Sequence, residues 1–166
     1  DRARGYVLDR DLAIEWYRKS FATSPPSSEM REQAGRSLAV RLQQRAGDQD
    51  VAEARSTIEN MISTCGTNER LEGDLVRQAI AERNFTRAEA QLERMLRTES
   101  VRGAQKMLAA KRLVEAWPHS PGTRDEKRKW IEAFSESHAQ LPLIESAAKN
   151  AIYWLDENAI APSDAN

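Results

Sequence analysis

The chain has 166 residues, of which 40% are hydrophobic and 31% are charged, and this is enough apolar material for the core of one ordinary domain. No run of about 18 apolar residues occurs, so a membrane span is excluded and we expect no membrane insertion. The formal net charge of −1 excludes a global electrostatic attraction to nucleic acid or to an anionic membrane.

Apolar residues recur at intervals of three and four along almost the whole chain, which is the spacing of one face of a helix. One such stripe near the middle of the chain consists of Val51, Ala54, Ile58, Met61, Ile62 and Cys65. A later one consists of Trp130, Ile131, Phe134, His138 and Leu141. No stretch shows the sustained alternation of a half-buried strand. The sequence therefore predicts an all-α fold.

Breaks in this pattern predict about eight helices. They cover approximately residues 11–22, 28–45, 50–66, 68–83, 84–98, 100–117, 123–141 and 142 to just before 162. The connections are only a few residues long, and such connections join antiparallel neighbours. Four antiparallel hairpins form either a compact bundle or a short superhelix.

Several of these boundaries rest on capping residues. Two pairs have the spacing of a capping box: Asp50 with Glu53, and Thr123 with Glu126. The single residues Asn84 and Ser100 are predicted to cap the fifth and sixth helices. Pro142 is predicted to end the seventh helix and to lie in the first turn of the eighth.

An internal repeat favours the superhelix. Ala13, Ala54 and Ala88 each stand four positions before a large residue and seven before a paired step that is largely apolar. They are separated by about 41 and 34 residues, within the range of helical repeats. A small residue at this position allows close approach of the partner helix, and neighbouring hairpins must stack to bury the stripe.

The first of these segments carries a more specific pattern. It has a glycine, an aspartate and an alanine at successive four-residue steps, followed by a Trp-Tyr pair: Gly5, Asp9, Ala13, Trp16 and Tyr17. This pattern resembles the Sel-like repeat, a relative of the tetratricopeptide repeat. The sequence departs from it at Tyr6, where a valine is usual, and at Ser20-Phe21, where an alanine pair is usual. A weaker resemblance extends to about residue 100.

The resemblance implies an α-solenoid over residues 1–100, followed by helical hairpins or a cap over residues 101–166. It implies a non-catalytic scaffold for binding another protein or peptide in a bacterium. Envelope-associated machinery is one such setting, and the compartment would be the periplasm or the cytoplasm. Because the chain begins with neither a methionine nor a signal peptide, we expect it to be a segment of a larger protein.

In such superhelices the helix with the repeat alanine commonly lines the inner surface. The exposed residues beside this stripe are the predicted partner contacts: Glu15, Arg18, Arg55, Glu59, Arg87 and Gln91.

The sequence offers no pattern that predicts catalysis. His119 and His138 lack the converging partners of a zinc site, and His138 is interpreted as a core or edge residue because it lies on an apolar stripe. Cys65 is the only cysteine, which excludes an internal disulfide. No phosphate-binding glycine loop or nucleophile elbow occurs. We therefore predict no enzymatic activity, cofactor or metal.

A local excess of basic residues supports an alternative function. It extends over residues 102–129, where Arg102, Lys106 and Lys129 could face one anionic surface. This segment would then be a nucleic-acid-binding or anion-binding module, although a solvated basic face explains the same charges. A further alternative is a helical accessory segment of an enzyme whose active site lies elsewhere.

Overall fold

The computed structural model describes residues 2–158 of the chain, with side chains from residue 9 onward. Within that range every regular element is helical, which confirms the predicted all-α fold. The helices are α1 (Arg2–Thr23), α2 (Glu29–Arg45), α3 (Asp48–Cys65), α4 (Glu69–Ala81), α5 (Phe85–Arg97), α6 (Gly103–Ala116), α7 (Arg124–Ser137) and α8 (Ile144–Glu157). A short 3-10 helix, Trp117–His119, follows α6 directly.

Two of the predicted caps are confirmed. The side chain of Asn84 accepts a hydrogen bond from the backbone N–H of Arg87 at 3.0 Å, at the start of α5. At the start of α7, the Thr123 hydroxyl accepts from the N–H of Glu126 at 3.3 Å. The Glu126 carboxylate accepts in return from the N–H of Thr123 at 2.8 Å. These bonds satisfy backbone donors that have no partner inside the helix.

Two predicted starts are wrong. Helix α3 begins at Asp48, so Asp50 lies in its first turn and accepts from the N–H of Gly47 at 3.3 Å instead of capping with Glu53. Helix α6 begins at Gly103 and not near Ser100. The N–H of Arg102, just before α6, donates to the carboxylate of Glu69 at 3.1 Å, and this distant acceptor defines the start.

The prediction that Pro142 lies in the first turn of α8 is also wrong. Leu143 follows the proline with a φ of 69°, in the left-handed region, and α8 begins only at Ile144. A branched residue is costly in this conformation, by about 1–2 kcal/mol. The end of α7 at Ser137 likewise precedes the predicted one.

Helices that follow one another in the chain pack side by side, from α1 against α2 through to α5 against α6, and again α7 against α8. A second set of contacts joins alternate helices, since α4 touches both α2 and α6, and α6 also touches α8. The even-numbered helices therefore form one continuous row. The 3-10 helix contacts α6, α7 and α8 and so fills the corner between them.

The apolar core follows this row. The repeat alanines Ala54 and Ala88 are fully buried, as are the large residues four positions later, Ile58 and Leu92. Ala13 is only half-buried. One cluster joins buried residues of α4 and α5 to Leu113 of α6 and Ile144 of α8, so the packing is continuous across residue 100.

Helix α2 approaches its neighbours most closely at Gly35. A methyl group added there would lie 2.6 Å from the sulfur of Met61 and 2.8 Å from the ring of Phe21. These distances are well inside van der Waals contact, so the glycine is required by the crossing of α2 with α1 and α3.

Helix α1 carries the residues of the family resemblance. Trp16 is 75% exposed and Leu12, one turn before it, is 59% exposed, whereas Tyr17 is half-buried. Gly5 and Tyr6 precede residue 9, the first residue whose surroundings the structure describes. None of the helices in the described range is long and apolar enough to cross a lipid bilayer.

Candidate functional site

An open groove lies between α5 and α7. Its volume is about 560 Å³, within the range typical of ligand-binding clefts. Helix α5 contributes Glu89, Leu92, Glu93, Leu96 and Arg97, and α7 with its C-terminal turn contributes Trp130, Ala133, Phe134, Ser137 and His138. We call it the α5–α7 groove.

Stacked aromatic rings form one wall of the groove. Trp117 and Trp130 stack with centroids 3.4 Å apart and planes 8° from parallel. Phe134 stacks on Trp130 at 4.8 Å, and His138 stacks on Phe134 at 4.2 Å. Phe85 closes the column with its edge against Trp117 at 5.5 Å. We call these five residues the aromatic column.

The register of α7 explains the column. Trp130, Phe134 and His138 are spaced by four residues, so their rings lie above one another on one helix face. His138 Nδ1 lies 3.0 Å from the carbonyl oxygen of Phe134, and because a carbonyl only accepts, Nδ1 donates this hydrogen bond. The imidazole is thereby oriented at the end of the wall.

The opposite wall presents carboxylates. Glu89 accepts a hydrogen bond from the indole Nε1 of Trp130 at 2.8 Å and has no ion pair among the described residues. Glu93 pairs with Arg97 at 2.9 Å, but both side chains are largely exposed, so this pair contributes little to stability. The α5–α7 groove thus combines an aromatic wall with an acidic edge, which suits an apolar side chain next to a cation.

The groove was not predicted from the sequence, because Trp130 lies on an apolar stripe of the kind that normally packs in a core. His138, expected at the core or its edge, is half-buried and lines the groove. The spacing of Trp130, Phe134 and His138 was the available signal. It did not show that α5 would leave one side of the stripe uncovered.

The predicted partner contacts are engaged mostly with other helices of the same chain. Arg18 of α1 donates two hydrogen bonds to Glu53 of α3, at 2.7 and 2.8 Å. Arg55 of α3 and Arg87 of α5 both pair with Glu82, which follows α4, at 2.6 and 3.2 Å. The structure therefore brings Arg55 and Arg87 together, and places Arg18 in a separate pair.

Of the remaining predicted contacts, one is hydrogen-bonded to a neighbouring helix and two are exposed. Gln91 donates to the buried Glu72 of α4 at 2.5 Å, whereas Glu15 and Glu59 are exposed. At Glu82, burial raises the pKa of the carboxyl, but hydrogen bonds from Arg55 and Gln78 outweigh it and the pKa is lowered. These polar groups link neighbouring helices.

The three cations of the predicted anion-binding surface have different surroundings. Arg102 pairs with Glu69, and its hydrogen bond lowers the pKa of that carboxyl. Lys106 is half-buried on α6 and Lys129 is exposed on α7.

The chain matches no protein-family model, no curated protein and no solved structure. In the described part of the chain, no group of three or more His, Cys, Asp or Glu side chains could hold a metal ion. The functional assignment therefore depends on the geometry of the surfaces described above.

Proposed function

We propose that the chain is a non-catalytic protein-interaction scaffold, built as a short α-solenoid of stacked hairpins, which binds a segment of another protein in the α5–α7 groove. The continuous row of α2, α4, α6 and α8 supports the stacked arrangement. In such an array each hairpin mainly contacts its neighbours, and the grooves between helices serve as binding surfaces.

The observation that carries this proposal is the open groove in which the rings of Trp130 and Phe134 lie beside the carboxylates of Glu89 and Glu93. Burying one large apolar side chain against such a wall contributes about 1.5–3 kcal/mol. A Lys or Arg beside it would meet the carboxylates of Glu89 and Glu93. The partner segment is therefore expected to carry an apolar anchor with an adjacent cation.

A displayed library of random peptides, panned against the wild-type chain, tests the proposal. We expect the selected peptides to combine a large apolar residue with a neighbouring Lys or Arg. Their affinity is then compared between the wild type and Ala133→Gln, which places a larger neutral side chain at an exposed position on the groove wall. A loss of about tenfold or more, or about 1.4 kcal/mol, is the expected result.

Ala90→Gln provides the matched control, because Ala90 is also an exposed helical alanine but does not line the groove. Its affinity for the selected peptides should equal that of the wild type. Equal affinities for all three chains, or failure of panning to enrich any such peptide, would contradict the assignment of the groove.

A further inference from the structure

A second cleft lies between α2 and α4, near α1, and its lining is basic. Its volume is about 320 Å³. The residues that line it are Tyr17, Arg36, Ser37, Val40, Arg41, Gln44 and Arg77. Three of these side chains are guanidinium groups and none is a carboxylate. This composition differs from the salt-bridged surfaces elsewhere in the chain, where acids and bases alternate.

One buried acid lies behind the cleft. Asp74 of α4 is 3% exposed, and its carboxylate accepts from Arg36 Nε at 2.6 Å. Arg77, one turn further along α4, is 3.4 Å from the same carboxylate, which is a weaker contact. The Asp74 carboxylate thus forms ion pairs with two arginines, a close one with Arg36 and a longer one with Arg77.

Two further arginines near the cleft have few or no side-chain contacts that offset their positive charge. Arg41 has only a long 3.4 Å hydrogen bond to Gln44. Arg112, half-buried on α6, does not line the cleft, but its charge interacts with those of Arg77 and Arg36. It makes no hydrogen bond or ion pair with any of the described side chains. We call Arg36, Arg41, Arg77 and Arg112 the arginine cluster. Against the negative charges of Asp74 and Glu115, the four cations of the cluster hold an excess of positive charge contributed by three adjacent helices.

The pKa values agree with this excess. Burial lowers the pKa of Arg77, and the positive charge of Arg36 lowers it further against the opposing effect of Asp74. Burial also lowers the pKa of Arg112, and the charges of Arg77 and Arg36 lower it further against the opposing effects of Asp74 and Glu115. Like charges held together in a partly desolvated place favour an anion that would neutralise them.

We propose that the arginine cluster binds the phosphoryl group of a phosphate monoester. A phosphoryl group carries about two negative charges near neutral pH and has three strong acceptor oxygens. Guanidinium groups from different helices can approach such a compact, multiply charged group from several sides. The hydroxyl groups of Tyr17 and Ser37 and the amide of Gln44 add donors around the same cleft.

This proposal is independent of the α5–α7 groove. The probes are inorganic phosphate and a short peptide that is prepared with one phosphoserine, with serine, or with glutamate at the same position. Binding is measured by calorimetry at low and at moderate salt. We expect the phosphoserine peptide to bind at least tenfold more tightly than the glutamate peptide, and inorganic phosphate to compete with it.

Two variants test the residues. Arg77→Gln and Arg112→Gln should each weaken phosphopeptide binding by about tenfold, since each removes one charge-assisted contact. Arg10→Gln is the control, because it makes the same charge change at an exposed position on α1. Arg77→Gln leaves the Arg36–Asp74 pair intact, and thermal melting checks that all three variants fold.

The binding results distinguish two sources of the phosphoryl group from each other, and both from a failure of the proposal. Tighter binding of the phosphopeptide than of inorganic phosphate supports a phosphorylated partner. Equal binding of the two supports a free phosphate monoester. The proposal is overturned if neither probe binds at millimolar concentration, if the glutamate peptide binds equally well, or if Arg10→Gln weakens binding as much as Arg77→Gln. The Ala133→Gln variant should bind phosphate normally, so this proposal and that of the groove can fail separately.

Discussion

Replacing Gly35 by alanine tests the closest helix crossing in the structure. The new methyl group would lie 2.6 Å from the sulfur of Met61 and 2.8 Å from the ring of Phe21. Both distances are roughly an ångström short of the 3.5–4.0 Å optimum for non-bonded atoms. Met61 is fully buried, so it cannot move away into solvent. Helix α2 or its neighbours must therefore shift.

Two opposing effects determine how much Gly35→Ala changes the free energy of unfolding. Alanine is a better helix former than glycine by about 0.8–1.0 kcal/mol. Overpacking a well-filled core costs about 1–3 kcal/mol. Because two neighbours are affected at once, we expect strain to prevail and Gly35→Ala to lower the free energy of unfolding by about 1–2 kcal/mol. For a chain of this size, each 1 kcal/mol corresponds to a change in melting temperature of roughly 2–4 °C.

Gly73 provides a control of the same chemistry. It is also buried within a helix, but a methyl group added there would have no neighbour nearer than 3.9 Å. Gly73→Ala should therefore gain the helix preference without strain and stabilise the chain by about 0.5–1 kcal/mol. Urea unfolding followed by circular dichroism measures both variants. If Gly35→Ala stabilised the chain as much as Gly73→Ala, the close crossing of α1, α2 and α3 would be refuted.

Two further predictions concern packing and pH. Ala54→Trp should destabilise the chain by about 1–3 kcal/mol, because Ala54 is fully buried among core residues of α1, α2 and α4. An unchanged melting temperature would contradict this. The hydrogen bond from Arg45 lowers the pKa of Asp50 in the folded chain. The Asp50 carboxylate is therefore protonated more readily in the unfolded chain than in the folded one. The stability that the charged carboxylate contributes is accordingly lost as the pH falls below about 4. The destabilisation by Asp50→Asn should accordingly be present at neutral pH and shrink in acid, and a pH-independent difference would refute this role of the carboxylate.

Local sequence patterns predicted the helices because their information lies within a few residues. The spacing of apolar residues gave eight helices and an all-α fold, and Asn84 and Thr123 cap α5 and α7 as expected. Each of these features depends on contacts between residues three or four positions apart.

Features that depend on distant contacts were not predictable in this way. The start of α6 is fixed by Glu69, 33 residues before Arg102. The pairing of Arg18 with Glu53 spans 35 residues, and pattern analysis gave no indication that these two side chains would meet. The predicted contacts were selected for exposure on a helix face, and several of them serve to join that helix to its neighbours.

The candidate site shows the same limitation. The stripe of Trp130, Phe134 and His138 was visible in the sequence, but whether a stripe is covered depends on the angle at which α5 approaches α7. The arginine cluster collects residues from α2, α4 and α6, which are adjacent only because alternate helices form a row.

The most direct test of the scaffold proposal is an NMR titration of the four indole N–H groups with a peptide selected by panning. Each signal is assigned by a Trp→Phe variant, and the chain contains four tryptophans. Trp130 donates its indole N–H to Glu89 beside the groove, whereas Trp16 is exposed on α1. The account predicts a large shift of the Trp130 signal with little change at Trp16. A shift confined to Trp16, or none at all while the peptide is bound, would show that the partner binds elsewhere.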